Sequence, residues 1–419
     1  MKKYISLTSL LFTFLLLLVS CEDYVQNIDP LIDAIEDERL NDAGQIRFLI
    51  KGVQEKFART QDQIYVMADG LSDQFFFDSN VPNATFPQFL EIDQGQIELD
   101  NNSVDAMQNL LGELRFYSDN LISRVNSISI DDNQLKNRAL FTGYLYGGLA
   151  RYFYATYIGL EPTNGGGVID NGPFIPSAEM YDLAIEHLTE ALNYADYDYS
   201  DEPVIEDSLH AVKIVHSLLA RLYLYRGDNA NALVHAQQGL VEGDSPFRIL
   251  HFTSDGSTTG PDNFYYQQAG AGRAQYVVDY RFHDYVTADP AESVRIPLAE
   301  ILGIDTVTIY YYQDKYPEET SPIDCITWQE NNLMLAELAL QGVGTGDALA
   351  LVNANRTSHA LADLGSIDLA GLIVEREKEL FCTGNRLPDQ RRFDLWHLGA
   401  GTWQYLPLTM NERNENPNF

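Results

Sequence analysis

The sequence is poor in basic residues, and cysteine and tryptophan occur only three times each. Its 419 residues include 27 Lys or Arg against 61 Asp or Glu, which gives a formal net charge of -34. Phosphate recognition depends on Lys and Arg, so this balance excludes most nucleic-acid binding and disfavours a basic patch on anionic lipid. Hydrophobic residues still make up 45% of the chain, enough for a large core, which excludes a wholly disordered protein.

The cysteines show no pattern of a metal site. None belongs to a CxxC pair or to a Cys/His spacing that is typical of zinc ligands. Cys325 and Cys382 could pair in an oxidising compartment, but one bridge would constrain little of a chain this long. We therefore expect buried free thiols at both positions.

The motifs of common enzyme classes are also missing. The chain has no GxSxG, HExxH, P-loop or GxGxxG motif. Asp196, Asp198 and Ser200 resemble the start of a calcium loop, but Asp201 and Asp207 replace its glycine and its closing glutamate. We predict no catalytic residue, no metal site and no cofactor, although the abundant acidic pairs leave a two-carboxylate glycosidase open.

The N-terminal segment indicates export. Lys2 and Lys3 precede an apolar, uncharged run from residue 5 to 19, which is too short to cross a bilayer but typical of a secretory signal peptide. It ends in Leu18-Val19-Ser20-Cys21, which resembles the lipobox of bacterial lipoproteins. This resemblance implies removal of the signal peptide and acylation of Cys21 by fatty acids such as palmitate. The alternative is a chance cysteine beside a plain signal peptide.

This processing defines three regions of the chain. Residues 1–20 are the predicted lipoprotein signal peptide. Residues 21–42 are polar and acidic, and we interpret them as a lipidated tether. Residues 43–419 are predicted to form a single domain.

Apolar residues recur at helical spacing over much of that domain, which predicts a mostly α-helical fold. Helices are predicted at residues 138–157, 181–194, 209–226 and 230–240. The segment from Leu219 to Leu233 resembles a tetratricopeptide unit, and similar second helices begin near Ala184 and Ala348. Their spacing differs from the tetratricopeptide period of about 34 residues, so the repeats are interrupted rather than continuous.

Long insertions separate these helix pairs, and insertions on repeat scaffolds commonly carry the binding function. Residues 158–177 contain a Gly165–Gly167 triplet and are predicted to be a loop. Residues 243–323 contain a turn cluster from Ser254 to Gly260 and a β-branched, aromatic run at 306–312, which predicts a short strand or hairpin. Residues 72–89 are predicted to be a Phe-rich loop.

The C-terminal third carries an ordered motif, which we call the C-terminal signature. Its residues are Glu375, Arg376, Glu379, Gly384, Arg386, Arg392 and Asp394. The motif resembles the signature of the SusD/RagB family, outer-membrane nutrient-binding lipoproteins of Bacteroidetes. Thr383 replaces the family's usual acid, and residues 387–391 interrupt the pattern. Arginines among carboxylates favour a scaffold of ion pairs, with an anion-binding site as the alternative.

The resemblance implies a SusD-like α-helical fold with tetratricopeptide-like helix pairs, long loop insertions and a few short strands. It also implies a lipid-anchored protein on the cell exterior that captures a nutrient oligomer, a glycan above all, and delivers it to a SusC-like TonB-dependent transporter. Such a protein is not an enzyme. The alternatives are a surface enzyme that degrades glycans or peptides, and a lipoprotein whose helical repeat only docks other proteins.

Sugar binding requires aromatic faces with polar side chains beside them. In the family, the loops after the first helix and the large middle insertion supply the aromatic platform. No single residue here matches a family motif, so the candidates come from the corresponding regions. Core or transporter contact is the alternative for each aromatic ring. The ligand-binding candidates are Asp73, Phe75, Phe76, Phe77, Asn263, Phe264, Tyr265, Tyr266 and Tyr310.

Overall fold

Helices form more than half of the part of the chain that the structure describes. The computed structural model covers residues 40–251 and 263–419. The predicted signal peptide, Cys21, the tether up to residue 39 and the turn cluster from Ser254 to Gly260 lie outside the described residues and stay predictions.

Asp, Asn and Thr side chains begin most of the helices. Asp132, for example, accepts hydrogen bonds from the backbone N–H groups of Gln134 and Leu135, which have no partner inside the helix. This capping gives part of the acidic composition a structural role. The helices are α1 Ile46–Leu71, α2 Pro87–Asp93, α3 Asn102–Ser127, α4 Asn133–Tyr157, α5 Ser177–Leu192, α6 Ser208–Arg226, α7 Asn229–Ala236, α8 Phe264–Ala269, α9 Tyr280–Ala288, α10 Trp328–Leu340, α11 Ala348–Ser358, α12 Leu369–Glu379, α13 Arg386–Arg392 and α14 Met410–Glu415.

The helices pack against their neighbours in the sequence, as interrupted helix pairs should. Helix α4 contacts α3 and α5, α5 contacts α6, and α6 contacts α7, while α10 contacts α7, α11 and α12. Helix α4 is buried from Arg138 to Tyr157 apart from Tyr144, as expected for a helix apolar on all sides. The predicted helices at 138–157, 181–194 and 209–226 are confirmed, and the one predicted at 230–240 ends early, at Ala236.

Short strands connect the helices in four small sheets within the described residues. Strands β7 (Leu298–Leu302) and β8 (Ile309–Gln313) form an antiparallel hairpin, which confirms the strand or hairpin predicted at 306–312. Strands β1 (Phe75–Phe76) and β6 (Val277–Val278) pair with each other and so join the Phe-rich segment to the middle insertion. The strands are β1 Phe75–Phe76, β2 Ile158–Glu161, β3 Asn164–Gly167, β4 Ile175–Pro176, β5 Phe247–Ile249, β6 Val277–Val278, β7 Leu298–Leu302, β8 Ile309–Gln313, β9 Ile323–Ile326 and β10 Leu406–Pro407.

The insertion at 158–177 is not the predicted loop. It contains β2, β3 and β4, which form a sheet with β10 in the order β10-β2-β3-β4. A Cβ at Gly165 would collide with the ring of Tyr405, and a Cβ at Gly167 with the ring of Tyr154. The glycines are therefore explained by the close approach of aromatic rings to the strands, which local sequence does not reveal.

Residues Arg47–Phe419 form one compact unit, and the described residues 40–46 belong to a second one. In the second unit, Asp42 caps a short 3-10 turn at Ala43–Gln45 by accepting a hydrogen bond from the N–H of Gly44 at 2.9 Å. No helix among residues 40–251 and 263–419 is long and apolar enough to cross a bilayer. Cys325 and Cys382 are buried free thiols, as predicted.

Candidate functional site

Buried ion pairs connect α12 and α13 to the rest of the helical unit. Arg376 on α12 donates to both carboxylate oxygens of Asp389 on α13, at 2.9 and 3.0 Å. Arg392 on α13 donates to both oxygens of Glu337 on α10, each at 2.9 Å. Bidentate pairing of this kind offsets the cost of removing these charges from water.

A second group of ion pairs lies around Glu375 and Glu379 of α12. Glu375 accepts hydrogen bonds from Arg295 and from Arg356 of α11, each at 2.9 Å. Glu379 accepts one from His359 at 2.9 Å. Each arginine of the signature has a carboxylate partner, which favours a scaffold over an anion-binding site. Asp394 is exposed, and among the described residues no ion pair joins it to this network.

Asp73, a predicted ligand-binding residue, belongs to the same network. Arg386 at the start of α13 donates to both of its carboxylate oxygens, at 2.6 and 2.7 Å, and Arg281 on α9 lies 3.2 Å away. Burial works against ionisation, but the hydrogen bond from Arg386 and the charge of Arg281 hold the pKa of Asp73 below its usual value. With both oxygens engaged, Asp73 has a structural role rather than a ligand-binding one.

Gly384 allows the chain to turn against α1. Its φ of +71° lies in the left-handed region, and a Cβ there would be 2.6 Å from Cδ1 of Tyr65. Its backbone N–H donates to Oδ2 of Asp69 at 3.3 Å. The position therefore needs glycine for its backbone conformation and also for the space.

Gly384→Ala is expected to lower the free energy of unfolding by about 2–5 kcal/mol, because left-handed strain of about 1–2 kcal/mol adds to about 1–3 kcal/mol of overpacking against Tyr65. Gly227→Ala is the matched control, since Gly227 has a φ of +84° but no atom within 4 Å of its Cβ position. The control should lose only the strain contribution. Urea unfolding of both variants checks this, and equal losses would contradict the role given to Tyr65.

Asp69 is the most unusual carboxyl group of this region. It accepts hydrogen bonds from the hydroxyl of Tyr265 at 2.6 Å and from the N–H of Gly384 at 3.3 Å. Burial raises its pKa to about 7, which would suit acid–base chemistry. The side chain has no exposed surface, however, so we assign it to the core rather than to a site.

An open group of aromatic side chains lies beside the β7–β8 hairpin. The ring of Tyr280 on α9 lies 5.7 Å from Phe76 of β1 and 6.2 Å from Tyr311 of β8. Tyr310 of β8 lies 6.2 Å from Phe76. The imidazole of His283 stacks on Tyr311 at 4.1 Å and 14°. We call Phe76, Tyr280, His283 and Tyr311 the aromatic surface, and the nearly buried Tyr310 lies beneath it.

Hydrogen bonds hold two of these rings in place. Tyr310 is nearly buried, and its hydroxyl donates to Oδ2 of Asp78 at 2.7 Å. Tyr280 is 40% exposed, and its hydroxyl donates to the carbonyl of Ile309 at 3.0 Å. Rings fixed in this way lose little conformational entropy when a ligand stacks on them.

Carboxylates border the aromatic surface. Glu300 is the cross-strand neighbour of Tyr311, and Asp284 follows His283 with 81% of its side chain exposed. Partial burial, followed by the charges of Glu300 and Asp284, raises the pKa of Tyr311, so its phenol is neutral at pH 7. Such a surface can stack on the C–H groups of a sugar and accept hydrogen bonds from its hydroxyls.

A separate cleft of about 300 Å³ lies between α5, α6 and α13. It includes Arg226, Arg391 and Arg392, but these already contact protein acceptors. Arg226 pairs with Asp182, Arg392 pairs with Glu337, and Arg391 donates to two backbone carbonyls. The aromatic surface is therefore the better candidate for ligand binding.

No family model and no curated protein matches the sequence. Solved structures do match over 90% of this chain. They include a SusD superfamily protein from Bacteroides thetaiotaomicron VPI-5482, with a TM-score of 0.71, 17% identity and 98% of that chain covered. A laminarin-binding SusD-like protein has a TM-score of 0.69, 15% identity and 99% covered. The chain has the SusD-like fold. Surface glycan-binding protein A from Bacteroides thetaiotaomicron also matches, with a TM-score of 0.63, 13% identity and 97% covered.

The SusD-like fold confirms the architecture implied by the C-terminal signature: mostly α-helical, with tetratricopeptide-like helix pairs and a few short strands. At identities of 13–17%, the likeness concerns the fold. Ligand-binding residues must therefore be argued from this chain's own surface.

Three predicted ligand-binding residues are buried in the SusD-like fold, which corrects that expectation. Phe75 is 2% exposed, and Asn263 and Tyr265 are fully buried. Asn263 caps α8 by accepting a hydrogen bond from the N–H of Tyr266 at 2.9 Å, and Tyr265 donates to Asp69. A side chain without exposed surface cannot contact a sugar, so these residues have core roles.

The other predicted residues divide into two groups. Phe76 belongs to the aromatic surface, whereas Tyr310 is 3% exposed and supports Phe76 from beneath. Phe77 packs in the same hydrophobic cluster as both. Phe264 and Tyr266 are half-buried, and no ring contact among the described residues joins them to that surface.

Sequence reasoning did not single out Tyr280 or His283. Their spacing of three places both on one side of α9. Only the tertiary structure shows that this side meets Tyr311.

Proposed function

We propose that this chain is a SusD-like lipoprotein of the outer membrane that binds a glycan and passes it to a SusC-like TonB-dependent transporter. The observation that carries the proposal is the aromatic surface on a SusD-like fold. Proteins of this fold include a laminarin-binding protein and a surface glycan-binding protein. The lipid anchor at Cys21, the exterior location and the transporter are inferred from the lipobox and the family resemblance.

The aromatic surface offers two kinds of contact to a sugar chain. The stacked pair of His283 and Tyr311, with Tyr280 beside it, provides apolar faces for pyranose C–H groups. Asp284 and Glu300 provide charged acceptors for hydroxyl groups, and hydrogen bonds to charged acceptors are the stronger ones. An open surface of this kind suits a chain of several sugars better than a single small molecule.

The charges favour a neutral glycan over a sulfated or uronic-acid polymer. Asp284 and Glu300 border the surface, and Arg281 on the same helix as Tyr280 is already engaged by Asp73 and Glu377. The chain as a whole has a net charge of -34. A polyanion would meet repulsion without a matching cation, which discriminates against it.

Tyr311→Ala is expected to weaken binding of a neutral oligosaccharide about tenfold, because an aromatic stacking partner contributes about 1–1.5 kcal/mol. We would screen the full-length chain on immobilised glycans and peptides, then measure the best ligand by calorimetry. Tyr117→Ala is the matched control, since Tyr117 is 41% exposed on α3, outside the aromatic surface, and should leave binding unchanged. Wild-type affinity in both Tyr311→Ala and Tyr280→Ala would exclude this surface as the site.

The same experiment separates the alternatives. A surface enzyme that degrades glycans or peptides would release shorter products from a bound polymer. A protein-docking helical repeat would bind none of the glycans or peptides while still copurifying with a partner protein. The proposed function requires saturable binding of an unchanged ligand and copurification with a larger barrel protein.

A further inference from the structure

Two histidines from consecutive helices meet at the surface of the α6–α7 pair. The Nδ1 atoms of His216 on α6 and His235 on α7 are 2.9 Å apart and share a hydrogen bond. The two ring centroids are 5.1 Å apart, and Tyr223 of α6 stacks on His235 at 5.2 Å and 11°. Both histidines are half-buried, so an ion from solvent can reach them.

This contact is unlike those of the other histidines. All eight histidines of the sequence lie in the described residues, and only here do nitrogens of two imidazoles meet. The other six contact backbone groups, carboxylates, hydroxyls or amides; they are His187, His210, His251, His283, His359 and His397.

Imidazole nitrogen is a common ligand of transition metals, and the neutral ring is the form that coordinates the ion.

The distance indicates the coordination geometry. With metal–nitrogen bonds of about 2.0–2.1 Å, ligands at a right angle are about 2.9 Å apart and tetrahedral ligands about 3.3 Å apart. The hydrogen-bond distance of 2.9 Å equals the spacing of two ligands at a right angle. Tetragonal coordination by nitrogen is typical of Cu²⁺ and Ni²⁺, and Cu²⁺ is bound most tightly of the first-row divalent ions.

We propose that His216 and His235 form a surface site for one divalent transition-metal ion, with Cu²⁺ preferred and water in the remaining positions. No group of three or more His, Cys, Asp or Glu side chains is placed to hold a metal in residues 40–251 and 263–419, so this part of the chain supplies only these two ligands. The site bridges α6 and α7 and is independent of the proposed glycan-binding function.

The test uses the full-length chain with a purification tag that contains no histidine, titrated with Cu²⁺ and with Zn²⁺. We expect one Cu²⁺ per chain, an electron paramagnetic resonance spectrum with splitting from two nitrogens, and weaker binding of Zn²⁺. His216→Gln and His235→Gln should each weaken Cu²⁺ binding about tenfold or more, since even outer-shell partners of metal ligands contribute about that much. His187→Gln, which removes a half-buried imidazole elsewhere, is the control and should bind Cu²⁺ as the wild type does.

Circular dichroism of the metal-free variants shows whether they fold. If His216→Gln does not fold, His235→Gln on the shorter helix α7 supplies the test. Cu²⁺ should also raise the thermal midpoint of the wild type but not of the double variant, because a ligand of the folded state stabilises it. Unchanged Cu²⁺ affinity and splitting in both single variants would overturn the proposal.

Discussion

Arg221→Met is expected to lower the free energy of unfolding by about 3–5 kcal/mol. Arg221 on α6 is fully buried and donates to both carboxylate oxygens of Glu330 on α10, each at 2.6 Å. It also donates to the carbonyl of Cys325 at 2.5 Å. Removing the guanidinium leaves Glu330 ionised in the core without its cation, which is costlier than losing the pair as a whole.

Arg226→Met is the matched control, because it makes the same change on the same helix. Arg226 pairs with Asp182 at 2.7 Å, but the two side chains are 35% and 54% exposed. An exposed pair contributes at most about 1 kcal/mol, so this variant should unfold close to the wild-type midpoint.

Urea unfolding followed by circular dichroism measures both variants. The double variant Arg221→Met/Glu330→Gln should recover part of the loss, since the uncompensated charge is gone. Similar midpoints for Arg221→Met and Arg226→Met would show that burial of the Arg221–Glu330 pair does not govern stability.

Asp69→Asn is expected to remove a pH dependence of stability that the wild type shows between about pH 4 and pH 7. Burial raises the pKa of Asp69 to about 7 in the folded chain, against 3.8 for an ordinary aspartate. Between these values the folded chain keeps a proton that the unfolded chain has released. The contribution to the free energy of unfolding is therefore fully present below about pH 4 and falls by up to about 4 kcal/mol by pH 7.

The measurement is urea unfolding of wild type and Asp69→Asn at several pH values from about 4 to 8. Other groups titrate in both proteins, so the difference between the two curves isolates Asp69. Asp93→Asn is a useful comparison, since burial raises the pKa of Asp93 to about 6 and its contribution should end at lower pH. Parallel curves for wild type and Asp69→Asn would refute the prediction.

Helices were predictable from local sequence. The apolar residues at helical spacing predict α4, α5 and α6, and Gly227 ends α6 in the left-handed region. The β-branched and aromatic run at 306–312 predicted a strand in the same way. The strands at 158–167 are not predictable from local sequence. Their glycines are needed because the rings of Tyr405 and Tyr154 pack against them, and only the tertiary structure shows this packing.

The candidate site was predictable only in part. Composition makes Phe75, Phe76 and Phe77 candidates. In the structure β1 pairs with β6, and within β1 Phe75 is buried while Phe76 is half-buried. Tyr265 is a predicted ligand-binding residue but is fully buried, and its hydroxyl donates a hydrogen bond to Asp69 inside the core. A list of aromatic residues does not contain the register that decides which ring faces the solvent.

The sequence by itself determined the helical scaffold, its acidic caps and the features that predict export at Cys21. These depend on interactions or signals within a few neighbouring residues. Only the tertiary structure decided that Asp73 pairs with Arg386, 313 positions away, and that His216 meets His235. It also brought Tyr280 and His283 of α9 to Tyr311. Contacts between distant segments depend on how the helices pack, and that packing is a property of the whole chain.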